Sequence, residues 1–265
     1  MAYLLLFDID GTLLRTGNAS RRAFSRAFER VTKKKKDFTK LDLGGRTDHE
    51  IIEDVLAKTG IPEEERDYKT RLILSELPDL LKEELEREPE ENKYVCPGVE
   101  RFLRLIKNRY RRSANPNNPL ILYGILTGNI RRTAEIKLRY FNLLRYFNLD
   151  IGAYGDDAKS RAELVDIAIG RAIHYAVRKW FSLAYRSTIF DKVILFGDTP
   201  RDVACARESG TTSVVFPTGR YSKEELKQAN PDFLFDSFEE LCEQENLEKI
   251  LSKKKKENEI PERFI

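Results

Sequence analysis

Histidine and sulfur are scarce in this chain. Of its 265 residues, two are histidine, three cysteine, one methionine and one tryptophan. His49 and His174 are too few to build a histidine-based metal centre. Cys96, Cys205 and Cys242 are odd in number and far apart. They fit neither a disulfide framework nor the ligand spacing of a zinc site, and read as reduced, buried thiols. Long apolar runs are missing as well: nothing approaches the roughly 20 residues that a membrane-crossing helix needs. The opening MAYLLLFDID is apolar, but it is short, has no basic flank and runs straight into two carboxylates. It reads as a buried strand rather than a secretion signal. No targeting motif stands out, so the expected location is the cytoplasm by default. Whatever chemistry the chain performs must run on carboxylates, hydroxyls, lysines and arginines.

The charge balance excludes a further class. The formal net charge is +3, and two tracts, Lys33 to Lys36 and Lys253 to Lys256, supply eight lysines. Without those eight the rest of the chain stands at −5, so there is no broadly basic body to bind nucleic acid. Both tracts read as solvated loop or tail.

What is present is a globular composition, 41% hydrophobic and 34% charged, arranged as alternating strands and helices. Tyr3 to Phe7, Leu120 to Leu126 and Lys192 to Phe196 are short apolar runs ending in small, hydroxyl or acidic residues. That pattern suits parallel strands covered on both faces. Asp150 to Tyr154 and Thr212 to Phe216 are weaker candidates. Helical periodicity is expected over Val99 to Lys107, Ile130 to Tyr140, Arg161 to Ala184 and Asp202 to Glu208. The fold class is therefore α/β, a doubly wound Rossmann-like parallel sheet.

From about Arg15 to Asn92 the pattern differs. Helices are expected over Ala19 to Val31, Asp48 to Thr59 and Glu63 to Glu88, with Pro78 interrupting the last and no convincing strand. The expected organisation is a discontinuous core, residues 1–15 and 93–248, with an inserted α-helical cap, 16–92. Residues 249–265 form a charged tail. Asn108 to Pro119 has the composition of an exposed loop.

In doubly wound sheets, sites form outside the carboxyl ends of the strands, and four elements fall there. Asp8-Ile9-Asp10-Gly11-Thr12 puts two carboxylates at the end of the first strand, with Gly11 permitting a tight turn. Thr127-Gly128-Asn129 offers a hydroxyl and free backbone N–H groups at a helix start, suited to an anion. Gly197-Asp198-Thr199-Pro200-Arg201-Asp202 brings two more carboxylates; with water they make a hard-cation site that suits Mg²⁺. Asp202 also reads as a helix cap, which is compatible. Lys159 and Arg161, before the next helix, both compete to hold a phosphoryl group.

Together these four elements resemble the haloacid dehalogenase-like hydrolase superfamily, in its phosphatase branch with an α-helical cap, phosphoglycolate phosphatase included. The resemblance spans Tyr3 to about Leu241. It implies that Asp8 is a nucleophile forming an aspartyl-phosphate and that Asp10 is the acid and then the base. Thr127, Gly128 and Asn129 would hold the phosphoryl oxygens. Asp8, Asp198 and the Asp10 carbonyl would bind Mg²⁺, supported by Asp202. The family's usual lysine falls at Lys159, counting back from Glu163, although no proline follows it; Arg161 is the alternative. A carboxylate at position 10 favours a phosphate ester over a carbon–halogen bond, because an alkoxide leaving group needs a proton.

In the cap, Arg46 and Thr47 follow Gly44-Gly45. Arg46 is expected either to read an anionic or hydroxylated group of the substrate or to pair with Glu50. A closing cap implies a small phosphorylated molecule, such as a phosphoglycolate-like acid or a sugar phosphate, with neither nucleic acid nor membrane as partner. Two alternatives share the residue set: a phosphomutase, and a non-catalytic binding protein. The binding protein would use His174, Tyr175, Trp180, Phe181 and Tyr185 as its surface. Oligomeric state is not legible.

Overall fold

The computed structural model describes residues 1–110, 118–158, 160–179 and 190–252. Strand β1 (Ala2–Phe7) is the centre of the architecture, and nearly every side chain in it is buried. Successive residues point to opposite faces. Tyr3, Leu5 and Phe7 therefore enter one apolar cluster and Leu4 and Leu6 another. Being covered on both faces is why the strand reads as a continuous apolar run.

Strand β1 pairs in parallel with β4 (Leu120–Ile125) on one side and β5 (Lys192–Gly197) on the other. Beyond β5 come β6 (Thr212–Val215) and the short β7 (Phe233–Leu234), giving the order β4-β1-β5-β6-β7. Phe7 lies between Ile125 and Phe196 in register. The three strands therefore end side by side, and their next residues share one rim.

Helices cover both faces. On the Phe7 side lie α4 (Val99–Arg109), α5 (Arg131–Tyr140), α9 (Phe238–Leu241) and α10 (Gln244–Leu251). They enclose an aromatic cluster in which Phe7 stacks on Phe196 with ring centres 4.5 Å apart. Each such fully buried side chain contributes about 1.5–3 kcal/mol. On the Leu4 side lie α6 (Arg161–Lys179) and α7 (Pro200–Glu208). Helix α7 starts at a capping box between Thr199 and Asp202, with Pro200 in its first turn. The short α8 (Lys223–Gln228) packs near β7.

Between β1 and β4 the chain leaves the sheet. Helices α1 (Ala19–Thr32), α2 (Asp48–Lys58) and α3 (Glu63–Arg87) bury a cluster of their own, including Phe24, Phe28, Phe38, Ile52, Leu77 and Leu81. Lys33 ends α1 in the left-handed conformation, and Lys33 to Lys35 are exposed.

The structure corrects three expectations. Pro78 does not interrupt α3, which runs unbroken from Glu63 to Arg87; Pro78 is buried, and that burial offsets the one missing donor. Asp150 to Tyr154 is not a strand. Asn148 caps a 3₁₀ turn over Leu149–Ile151, leaving a single bridge from Ala153 to Leu126. A small sheet also exists where no strand was expected: β2 (Leu14–Thr16) pairs antiparallel with β3 (Lys93–Val95). It joins both ends of the helical segment.

Of the proposed binding surface, Trp180, Phe181 and Tyr185 lie outside the described residues. His174 is exposed, and Tyr175 is half-buried against the Leu4-side cluster. No described helix is long and apolar enough to cross a membrane.

Candidate active site

The rim formed by β4, β1 and β5 carries Thr127, Asp8 and Asp198, all buried. Asp202, on the first turn of α7, is turned back toward them. Its Oδ2 accepts from the Thr199 N–H at 2.9 Å, the Thr199 hydroxyl at 2.7 Å and the Asp198 N–H at 3.2 Å. Its Oδ1 meets the Arg161 Nη2 at 2.5 Å. The capping role and the site role therefore fall to opposite oxygens of one carboxylate.

Oxygens of Asp8, Asp198 and Asp202 lie within 4.8 Å of one another. Gathering three acids there is unfavourable without a counter-charge. Burial, eased by Arg161, pushes the Asp8 pKa up to about 6; burial and the neighbouring Asp202 and Asp8 raise Asp198 well above the ordinary carboxylate range. The Asp8 Oδ1 is buried and accepts no hydrogen bond. A divalent cation coordinated by oxygen fits this set of three carboxylates and its charge.

Glycine makes the cradle possible. Gly11 has φ +85°, and a Cβ there would run into the Asp198 carboxylate, as would one at Gly219. Thr12 donates its hydroxyl to Asp198 Oδ1 at 3.0 Å, and Thr218 donates to the Gly11 carbonyl at 2.6 Å.

Among the described residues, Arg161 is the cation at these acids. It is buried, its Nη2 lies 3.4 Å from Asp8 Oδ1, and its Nε has no hydrogen-bond partner. Burial alone would lower its pKa, but Asp202 and Asp8 raise it above the ordinary guanidinium value. Lys159 lies outside the described residues.

Asp10 stands apart from the acid cluster. Its Oδ2 accepts from Lys137 Nζ at 2.6 Å, and the same ammonium donates to Asn129 Oδ1 at 2.7 Å. Lys137 is almost fully buried and links the first-strand loop to the Thr127 loop. The sequence reading missed it. The signal was a lysine on the stripe of α5 that also carries Ala134 and Leu138, where a solvated charge does not belong.

The helical segment closes over this rim. The Asp48 N–H donates to the Gly128 carbonyl at 2.7 Å, and its Oδ2 accepts from the Ile130 N–H at 2.9 Å. Asp48, also missed from sequence, is buried, and burial, partly offset by Lys137, pushes its pKa up to about 7. Thr47 is the N-cap of α2, accepting from the Glu50 N–H at 3.1 Å. Arg46 spends its guanidinium on its own helix, with Nε 2.9 Å from Glu50 Oε1 and Nη1 3.2 Å from Asp54 Oδ2. Of the two expectations for Arg46, the geometry matches pairing with Glu50. Its carbonyl abuts Gly128 so closely that a Cβ would collide with it.

The cleft between rim and helical segment measures about 170 Å³, is partly open to solvent and is lined from both parts of the chain, by Asp8, Asp10, Thr127, Asn129 and Arg161 below and Arg21, Phe24 and Arg46 above.

A buried acid cluster at the carboxyl ends of a parallel sheet, with a cation and a hydroxyl beside it, defines a class of hydrolytic site. The family model for haloacid dehalogenase-like hydrolases matches residues 4–210, and the chain belongs to that family. No curated protein sequence matches it. Among solved structures it is similar to a hydrolase from Pseudomonas syringae, with TM-score 0.64 and 17% identity over 95% of this chain and 99% of that one. A predicted phosphatase from Clostridium acetobutylicum gives TM-score 0.61 and 20% identity over 93% and 98%. A predicted phosphoglycolate phosphatase from Haemophilus somnus gives 0.56 and 16% over 90% and 95%.

Proposed function

We propose that this hydrolase is a Mg²⁺-dependent phosphatase of small phosphate monoesters, with residues 16–92 as a cap over a core formed by 1–15 and 93–248. The observation that carries the reading is a pair of buried atoms without hydrogen-bond partners, Asp8 Oδ1 and Arg161 Nε, beside two further acids. An oxygen nucleophile and a phosphoryl-oxygen donor stand ready in one place.

Asp8 attacks phosphorus, and the ester oxygen leaves with a proton from Asp10. Asp10, now a carboxylate, takes a proton from water as that water attacks the aspartyl-phosphate. The bond from phosphorus to the Asp8 oxygen breaks, phosphate departs, and Asp10 is again protonated. Arg161, the Thr127 hydroxyl and the N–H groups of Gly128 and Asn129 hold the phosphoryl oxygens. Lys137 orients Asp10. Asp8, Asp198 and the Asp10 carbonyl, with Asp202 behind, would hold Mg²⁺, whose charge would offset repulsion between phosphate and Asp8. A cleft of about 170 Å³, partly covered by the helical segment, suits a small soluble ester.

Phosphate release from a panel of esters, with Mg²⁺ and with excess chelator, tests the reading. Release that needs the metal and disappears in Asp8→Asn is expected. A folded protein releasing no phosphate from any ester overturns it. Isomerisation of a sugar phosphate without free phosphate would assign a mutase instead.

A further inference from the structure

Six cationic side chains line the cavity: Arg15, Arg21, Arg46, Lys137, Arg161 and Arg220. Four have carboxylate partners. Arg46 holds Glu50 and Asp54, Lys137 holds Asp10, Arg161 holds Asp202 and Asp8, and Arg220 holds Asp42. The other two differ. Among the described residues, Arg15 and Arg21 pair with no carboxylate, and their hydrogen bonds go to backbone carbonyls.

Arg15 Nη1 donates to the Thr218 carbonyl at 2.9 Å. Arg21 Nη1 donates to the carbonyls of Leu41 at 2.5 Å, Phe38 at 3.2 Å and Thr39 at 3.4 Å. In each case one nitrogen anchors the group, while the planar fork keeps further donors for the cavity. Positive charge is in excess there. Burial lowers the Arg21 pKa, and repulsion from Arg220 and Arg15 lowers it further, against the attraction of Asp10 and Asp42.

Position matters as much as charge. Arg15 lies on β2, on the core side, and Arg21 on α1, on the cap side. The wall between them carries Thr16 and Ser20, whose hydroxyls are 3.1 Å apart. Asp10, the proposed proton donor to the leaving oxygen, shares this cavity and acts electrostatically on Arg21.

We propose that Arg15 and Arg21 form an anion subsite for the leaving group, selecting phosphate esters whose alcohol carries a second acidic group. The subsite rests on the phosphatase reading, since it places the scissile phosphate at Asp8 and the second anion beyond Asp10. A carboxylate or a second phosphate would satisfy the same two guanidiniums. Gripping the anion from core and cap together also ties binding to closure.

Binding of inert phosphonates tests this without turnover. Isothermal titration in Mg²⁺ would compare phosphonoacetate and ethane-1,2-bisphosphonate with ethylphosphonate, which lacks the second acid. Charge-assisted hydrogen bonds of this kind are worth roughly a ten- to hundredfold preference for the doubly acidic ligands. That preference is expected to collapse in Arg21→Met and in Arg15→Gln. Whichever of phosphonoacetate and the bisphosphonate binds tighter identifies the second acid.

Equal affinity of the wild type for all three phosphonates would overturn the subsite, as would a preference that survives both substitutions. Arg21 also holds the 38–41 turn; should Arg21→Met not fold, Arg15→Gln decides. If the preference is found but no ester is hydrolysed, the subsite stands as a binding site and the phosphatase reading fails by itself.

Discussion

Asp198 is pressed by burial against Asp202 and Asp8, which raises its pKa well above the ordinary carboxylate range. Asp198→Asn removes one of three crowded negative charges. The metal-free variant is expected to melt no lower than wild type at pH 7.5, while the rise in melting temperature on adding Mg²⁺ disappears. Differential scanning fluorimetry with and without metal checks both parts; a retained Mg²⁺ shift would remove Asp198 from the metal site. Lys137 makes a different prediction. If it orients Asp10, Lys137→Met should lower kcat on an alkyl phosphate roughly tenfold or more. It should slow the p-nitrophenol burst far less, because that leaving oxygen needs no proton. Equal losses on both would assign Lys137 to phosphate binding instead. The acids were legible because an apolar strand that ends in Asp announces itself. Lys137 was not: its burial and its contacts with Asp10 and Asn129 exist only in the folded chain, and one lysine on an amphipathic helix looks like any other.

At the scale of elements, the contact that matters is the start of α2 against the Gly128 to Ile130 turn. Asp48 is folded with a carboxyl pKa of about 7 against an ordinary 3.8. The native state therefore holds this proton more tightly than the unfolded chain. Stability from this group is fullest below pH 4 and is lost as pH rises toward 7. Asp48→Asn, which keeps an oxygen for the Ile130 N–H, should match wild type near pH 4. It should exceed wild type at pH 8 by on the order of 2–4 kcal/mol. Urea unfolding at the two pH values measures the difference, and a gain independent of pH would show that Asp48 is not the group titrating. Gly128→Ala tests the same contact by size. Its methyl would meet the Arg46 carbonyl, so destabilisation of about 1–3 kcal/mol is expected. Activity should fall more than stability alone explains. Element types over the core were readable from continuous apolar runs, since β1, β4, β5 and β6 are sheathed on both faces. The β2–β3 ribbon was not readable, because three-residue strands are too short to show a period. Asp150 to Tyr154 misled for the opposite reason: its apolar residues pack below β4 from a 3₁₀ turn that Asn148 initiates.

For the whole molecule, the sheet with its flanking helices and the α1–α3 segment keep separate apolar clusters and share a polar cavity. Ligand binding should therefore slow exchange of amides that join the two more than amides inside either cluster. Hydrogen exchange with Mg²⁺ and inorganic phosphate is expected to protect the N–H groups of Asp48 and Ile130. Protection confined to the β1 and β5 ends would mean that the ligand does not engage the cap. The ribbon of β2 and β3 has its own consequence at this scale. The chain departs and returns along two strands hydrogen-bonded to each other, so the excursion between them has both its ends pinned together. Such a segment is interchangeable in the manner of an insert in a cloning site. A helical lid of another length, spliced between Thr16 and Lys93, would leave the register of the five-stranded sheet untouched. The acid cluster at the ends of β1 and β5 could then be inherited intact while the helical segment above it drifted freely.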